Sequence, residues 1–406
     1  MARGMDSEIG NIGVVGLGVM GFDIAFLFAM KGVRTLVYDT APAAMNAVED
    51  RREQTIERLR KRNRISNTET DQVRTLLVKS SNLQTLSGMN LITEAVSENP
   101  TTKVLVYRAL KAAGFRGLLT TNTSSVTRAT LLADGAYDPE SFALTHFFNP
   151  VLYTRMVEVV AGDMAVDRRE SLLAFLRSIG RQPVETQDIS GFVSNGILMV
   201  YAVMALRILE CGATIEAVDQ AAGALKVLPP LLSFDSWKPS IVEDVTRVMF
   251  DHRGDAFLRS SRLLQRLAIE NPRFYLEQKP NSKIYDLVDG TRRSIDEATV
   301  EQALRVAILI AAARVAELGE SPSTVDFVAQ EGIKLPEAPL KKIDAIGAAQ
   351  ILEALAQINQ QLGGDPLTPP TLLSAMAETG QTFYKDNQPN PWLSAHVRRA
   401  ADHARH

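Results

Sequence analysis

Over its first half the chain alternates short apolar, β-branched runs with longer helical stretches. Asn11–Val15, Val33–Tyr38, Asn90–Val96 and Leu118–Thr121 read as strands. An apolar helix, Phe22 to Lys31, lies between the first two and stops at Gly32. A polar helix is expected from Ala43 to about Arg64, and another from Thr101 to Ala113. Strands that alternate with helices predict a parallel sheet covered on both faces. Beyond residue 188 the strand pattern gives way to helices. Two apolar stretches there, Gly196–Leu209 and Ala303–Leu318, carry internal charges and fall short of the ~20 apolar residues of a membrane span.

The second half repeats itself. Glu210-Cys211-Gly212, Val218-Asp219 and Leu228-Pro229 recur as Glu317-Leu318-Gly319, Val325-Asp326 and Leu335-Pro336, with Asp235 and Asp344 closing the two copies. Positions 210, 219 and 229 return at 317, 326 and 336, a constant offset of 107. Gln381-Thr382-Phe383-Tyr384 ends the second copy. The expected division is residues 1–188 for the sheet domain, 189–295 for helical copy 1, 296–390 for copy 2 and 391–406 for a polar tail. The second copy is expected to pack on the first.

The turn after the first strand carries chemistry. Gly16-Leu17-Gly18-Val19-Met20-Gly21 stands between strand and helix, and the next strand ends in Asp39. This is the dinucleotide fingerprint in its required context. Gly16 allows the tight turn, Gly18 the approach of a diphosphate to the helix N-terminus, and Gly21 close helix–sheet packing. Asp39 suits ribose hydroxyls, and with Thr40 and Ala41 after it NAD is favoured over NADP. The expected fold class is α/β, a Rossmann-type NAD-binding domain followed by a duplicated all-α C-terminal region.

Composition adds boundaries. The chain has 406 residues, 46% hydrophobic and 22% charged, with a net charge of −3, so nothing in its overall charge points to nucleic acid or membrane. Its single cysteine, Cys211, precludes an intrachain disulfide or a cysteine-based zinc site and suits a reducing, cytoplasmic compartment. No metal site is expected. The N-terminus lacks the apolar core of a signal peptide, and Met5 could be the native start. The polar helix carries Arg51, Arg52, Arg58, Arg60, Lys61, Arg62 and Arg64 among acids. It reads as a solvated face or as a docking surface for a phosphate-rich ligand or an acidic carrier protein.

Thr145-His146-Phe147-Phe148-Asn149-Pro150 precedes Val157-Glu158-Val159-Val160 and holds the only histidine of the first half. By itself the segment suits a packed core histidine more readily than an acid/base pair. Its setting shifts the balance, because Glu98, Asn122, Ser124 and His146 all fall near carboxyl ends of strands, where open α/β sheets bind ligands.

With these residues in view, the chain resembles the L-3-hydroxyacyl-CoA dehydrogenases. The segments GLGVMG, EAVSEN, TNTSS, HFFNP, VEVV and DISGFVSN occur in family order between Ile12 and Asn195. The tandem helical copies resemble the dehydrogenase part of the bacterial multifunctional β-oxidation protein. The resemblance implies an NAD-dependent oxidoreductase of fatty acid metabolism that interconverts 3-hydroxyacyl and 3-ketoacyl thioesters of coenzyme A. His146 would be the general acid/base, Glu158 would hold the imidazole and stabilise its charged form, and Ser124 and Asn195 would bind the reacting oxygen. Gly16, Leu17, Gly18, Val19, Met20, Gly21, Asp39, Ala95, Glu98, Lys103, Asn122 and Asn149 would hold the NAD, with Lys279 aligned to a cofactor lysine. Thr55 and Arg62 match positions that meet coenzyme A.

Departures begin after Asn195. Gly196 stands where the family has arginine, Leu228–Leu232 replaces a Gly-Pro-Phe turn, and Lys279–Tyr285 aligns with the Gly-rich Phe-Tyr signature without its glycines. The substrate is therefore open, and the alternatives are an acyl-carrier-protein thioester with the same chemistry, or a non-catalytic NAD-binding module. Monomer and weak dimer are both compatible with the sequence.

Overall fold

The computed structural model describes residues 9–289 and 294–403. Residues 1–8, with Met5, the 290–293 stretch near the expected boundary between copies, and 404–406 lie outside the described residues. The chain divides into two units, Met1–Asp188 and Ile189–His406.

The first unit is built on one eight-stranded sheet. Its strands are β1 (Asn11–Val15), β2 (Arg34–Tyr38), β3 (Leu77–Lys79), β4 (Leu91–Glu94), β5 (Leu118–Thr121), β6 (Phe142–Phe147), β7 (Met156–Val160) and β8 (Gln182–Glu185). They run in the order β3-β2-β1-β4-β5-β6-β7-β8. All pairs are parallel except β6–β7, and the strand order reverses between β1 and β4. Every residue of β4, β5, β6 and β7 is buried, as expected of strands covered on both faces. Helix α1 (Val19–Met30) buries nine of its residues. It is apolar on all sides because Phe28 meets the rings of Phe147 and Phe175 at 6.3 and 5.4 Å.

The long polar helix is shorter than expected. A single turn, Pro42–Asn46, precedes α2 (Val48–Arg60), and Asn63 then takes a left-handed conformation (φ 52°) that ends it. Ser66 and Glu69 form a capping box that starts α3 (Asn67–Leu76), which leads into the three-residue β3. Helices α4 (Pro100–Ala112) and α5 (Val166–Ser178) complete the unit's main covering.

The second unit takes in both helical copies, which do not separate into independent bodies. Copy 1 comprises α6 (Ser194–Cys211), α7 (Ile215–Ala224), α8 (Pro230–Trp237), α9 (Pro239–Arg253) and α10 (Arg262–Glu270). Copy 2 comprises α11 (Glu297–Glu317), α12 (Pro322–Phe327), α13 (Pro339–Ile346), α14 (Ala348–Leu362) and α15 (Thr371–Thr379). By length and composition α6 could cross a membrane, but 72% of it is buried within the unit, as in a core helix. A Cβ added at Gly196 on α6 would stand 2.7 Å from Val315 Cγ2 on α11 and 3.3 Å from Arg253 Nη2. The space that a side chain at position 196 would need is thus filled by the second copy, which explains the departure to glycine.

Matching carboxylates tie each copy together. Asp219 accepts from Leu231 N–H and Tyr275 Oη, and Asp326 from Leu340 N–H and Tyr384 Oη. Asp235 accepts from the N–H groups of Phe274 and Tyr275, and Asp344 from those of Phe383 and Tyr384. These bonds correct the sequence register. The first copy's counterpart of Phe383-Tyr384 is Phe274-Tyr275, not Lys279–Tyr285, and Tyr285 instead accepts from Ile215 N–H at the start of α7. Likewise α8 begins at Pro230 and α13 at Pro339, so Pro336 lies in the loop before its helix. The extra residues of copy 2 fall between Asp326 and Pro339, where Val328–Gly332 winds as a π-helix, the usual form of an inserted residue. The expected polar tail is a helix, α16 (Pro391–His403), docked by the buried Leu393.

Candidate active site

The glycine turn fits a dinucleotide diphosphate. A Cβ at Gly16 would stand 2.7 Å from the Ala95 backbone, and one at Gly21 only 1.9 Å from Gly16 O, so neither position admits a side chain. At Gly18 nothing lies within 4 Å, which leaves open space at the N-terminus of α1. Ala95 packs under the turn, and its N–H donates to Val15 O. Leu17 is buried and would present only its backbone, Met20 is half-buried, and Val19 is exposed. Asp39 accepts from Leu17 N–H at 2.7 Å and Ala41 N–H at 2.8 Å, which sets its carboxylate beside the turn at the end of β2. Arg51 donates to Leu17 O and Gly18 O at 2.6 and 3.1 Å and lies over the Phe22 ring. Arg51 stands twelve residues beyond Asp39 on the basic helix, and the reach of its guanidinium to the turn is visible only in the fold.

Across the reversal point, Glu94 at the end of β4 accepts from Val96 N–H, Tyr107 Oη, Thr121 Oγ1 and Lys103 Nζ. Lys103 is 0% exposed and also donates to Asn122 O. It was expected at the cofactor, yet its ammonium is enclosed by protein oxygens. Glu98 Oε1 accepts from Thr123 Oγ1 and the N–H groups of Ser124 and Ser125, so it shapes the loop that carries Ser124.

Burial pulls the Lys103 ammonium down, but the charges of Glu94 and Glu98 outweigh it and leave its pKa above the usual value. Burial, with Glu94 beside it, holds the Tyr107 phenol well above its usual range. Both groups keep a proton in the fold that the unfolded chain releases above about pH 10. Their contribution is present below the free values of 10.5 and 10.0 and is lost as pH rises through the folded ones. Denaturant midpoints are therefore expected to fall steadily above pH 10, and midpoints that stay level to pH 11 would contradict this burial.

The antiparallel β6–β7 pair sets His146 opposite Glu158. Residues directly opposite in an antiparallel pair present their side chains on the same face of the sheet. His146 Nδ1 and Glu158 Oε2 are 2.8 Å apart, and both residues are buried. Phe148 packs its ring 5.3 Å from the imidazole. Asn122 Oδ1 accepts from Phe147 N–H at 3.0 Å, which ties β5 to the strand that carries His146. Asn149 is exposed beyond the strand end.

On the basic arm, Thr55 is buried in α2, so its side chain is packed against protein rather than offered to a ligand. Arg62 is exposed and donates to Tyr153 Oη at 3.2 Å. The guanidinium groups of Arg62 and Arg64 each lie 5.8 Å from the Tyr153 ring centre. Tyr153 was not singled out from sequence, because its partners are about ninety residues away.

In the second unit Asn195 sits on the first turn of α6, entered through Gly191 (φ 80°) and Phe192 (φ 51°). Lys279 is exposed on the hairpin whose first strand begins at Tyr275. It comes after the Phe274-Tyr275 pair, and no lysine stands among residues 269–273 before that pair, so the alignment that made it a cofactor residue is out of register. Among the described residues no group of three or more His, Cys, Asp or Glu side chains could hold a metal ion.

The sequence matches the 3-hydroxyacyl-CoA dehydrogenase NAD binding domain over residues 11–189. It matches the C-terminal domain of the same family over residues 191–286 and 300–389, once for each helical copy. It is 34% identical over 236 residues to a 3-hydroxybutyryl-CoA dehydrogenase of Mycobacterium tuberculosis, covering 56% of this chain and 82% of that one. A fatty acid oxidation complex subunit alpha of Pseudomonas savastanoi is 25% identical over 94% of this chain, which spans 57% of that subunit. Among solved structures, 3-hydroxybutyryl-CoA dehydrogenase from Escherichia coli K12 shares the fold, with a TM-score of 0.75 over 91% of this chain and 98% of its own, at 21% identity.

Proposed function

The chain belongs to the 3-hydroxyacyl-CoA dehydrogenase family, with an NAD-binding first unit, and from that premise we propose that it interconverts a 3-hydroxyacyl-CoA and its 3-keto form, with His146 as the acid/base. The observation that carries the reading is the buried 2.8 Å contact between His146 Nδ1 and Glu158 Oε2. Bound NAD supplies the hydride acceptor for the hydrogen at C3. His146 takes the proton of the 3-hydroxyl in oxidation and returns it to the keto oxygen in reduction. With Nδ1 committed to Glu158, the exchanged proton is carried on Nε2. The Glu158 carboxylate orients the ring and stabilises the imidazolium that forms. Ser124 and Asn195 would donate to the reacting oxygen. Gly16 to Gly21, Asp39, Asn122 and Asn149 would hold the dinucleotide, and burial of both His146 and Glu158 keeps competing water from the proton path.

The cluster of Tyr153 between Arg62 and Arg64 favours the coenzyme A thioester over an acyl-carrier-protein thioester. An aromatic ring flanked by guanidinium groups suits a phosphorylated nucleotide better than the carboxylates of an acidic helix. Matched CoA-linked and carrier-linked 3-hydroxyacyl substrates, assayed by NADH absorbance, are expected to show the higher kcat/KM for CoA. Arg62→Ala is expected to raise KM for the CoA substrate on the order of tenfold with little change in kcat. Faster turnover of the carrier-linked substrate would reverse the assignment. Cytoplasmic residence, as monomer or weak dimer, completes this reading.

A further inference from the structure

Two carboxylates, Glu94 and Glu98, stand at and just beyond the carboxyl end of β4. Glu94 Oε1 accepts from Val96 N–H at 2.6 Å and from Lys103 Nζ at 3.0 Å; Oε2 accepts from Thr121 Oγ1 at 2.5 Å and Tyr107 Oη at 2.9 Å. Glu98 Oε1 accepts from Thr123 Oγ1 and Ser124 N–H, both at 2.6 Å, and from Ser125 N–H at 3.0 Å. Every one of these partners donates, which is the pattern of two carboxylates. Among the described residues Lys103 is the one cation within ion-pair distance of either, 3.0 Å from Glu94 and 3.6 Å from Glu98. Two carboxylates and one ammonium leave a single net negative charge. Glu94 and Lys103 are fully buried, so water screens that charge weakly, while the Glu98 side chain is 20% exposed.

The position of this triad gives the charge a use. Strand order reverses between β1 and β4, with Asp39 at the end of β2 on one side and the triad at the end of β4 on the other. A dinucleotide crosses such a sheet at the reversal, one nucleotide over each half. With the adenosine ribose at Asp39, the half above β4 and β5 is left for the nicotinamide. The oxidised ring bears a positive charge there and the reduced ring none. We propose that the Glu94–Lys103–Glu98 triad is a redox-state selector, whose net negative charge shifts binding toward NAD+ relative to NADH. The inference rests on the NAD reading of the first unit and is independent of which thioester is used. Glu94 and Lys103 then act as positioning residues, and Lys103 limits the bias by cancelling one of the two charges.

Calorimetric titration of the full chain with NAD+ and with NADH, without thioester, tests this. In Glu98→Gln the ratio Kd(NAD+)/Kd(NADH) is expected to rise on the order of tenfold, the effect of one unit charge in a weakly screened setting. Glu94→Gln, which removes the fully buried charge paired most closely with Lys103, is expected to move the ratio in the same direction by less. A ratio that stays constant in Glu98→Gln, with both affinities falling together, would mark the carboxylate as a scaffold for the Ser124 loop and overturn the proposal. Because no thioester is present, failure of the substrate reading leaves this measurement intact, and a shifted ratio leaves the substrate reading to its own assay.

Discussion

Replacement of His146 by alanine is expected to lower kcat for NADH formation by roughly 10²- to 10⁴-fold, the range in which a positioned general base contributes. The Kd for NAD should hardly change, because the glycine turn and Asp39 are built from β1, α1 and β2, whereas His146 stands on β6. Removing the imidazole leaves Glu158 buried without this partner, so some loss of stability accompanies the loss of rate. Thermal melts and circular dichroism separate the two effects, since a folded variant that binds NAD and turns over slowly has lost chemistry. Glu158→Gln keeps the size of the side chain and removes its charge. It is expected to lower kcat as well, by a smaller factor than His146→Ala, because the ring stays in place while its charged form loses support. If His146→Ala oxidised every 3-hydroxyacyl-CoA as fast as the wild type, His146 would return to being a packed core histidine.

The second large effect is expected at Gly196. Gly196→Val places a β-branched side chain where its Cβ would stand 2.7 Å from Val315 Cγ2 and 3.3 Å from Arg253 Nη2. Neither neighbour yields easily, since Val315 is buried on α11 and Arg253 also donates to Ser190 O. Separation of α6 from α11 should cost about 3 kcal/mol, the upper part of the range for overpacking a core. For a unit of this size that corresponds to a melting point lower by roughly 6–12 °C. Gly223→Ala is the control. It lies in α7 with nothing within 4 Å of its would-be Cβ and should be neutral or stabilising by up to about 1 kcal/mol. If both variants melted together, the close packing of the two copies at Gly196 would not be holding the unit.

The two predictions differ in how far they were visible beforehand. His146 and Glu158 were legible as a pair because the order of neighbouring motifs, which carries the family resemblance, survives in one dimension. The role of Gly196 was not, because the residue that excludes a side chain there lies 119 positions away in the other copy. Lys103 shows the same limit from the other side. Its place in a motif suggested a cofactor contact, and only the meeting of β4, β5 and α4 encloses its ammonium. The Phe-Tyr signature of copy 1 was misplaced because its glycines are gone. The bonds from Phe274 and Tyr275 to Asp235 identify it, and sequence spacing does not.

What the sequence by itself determined is the part governed by neighbours along the chain. That part includes the strand–turn–helix of the dinucleotide site, the acid that ends β2, the βαβ alternation, and the helical repeat whose offset of 107 follows from one residue recurring in like surroundings. The tertiary structure alone decided the rest: the Asp219/Asp326 and Asp235/Asp344 ties, the closure of α6 on α11, the Arg62–Tyr153 contact, and the charge left over at Glu94, Lys103 and Glu98. Each of these is a balance between burial and a partner brought from a distant segment. Burial is a property of the packed chain, and no run of consecutive residues contains it.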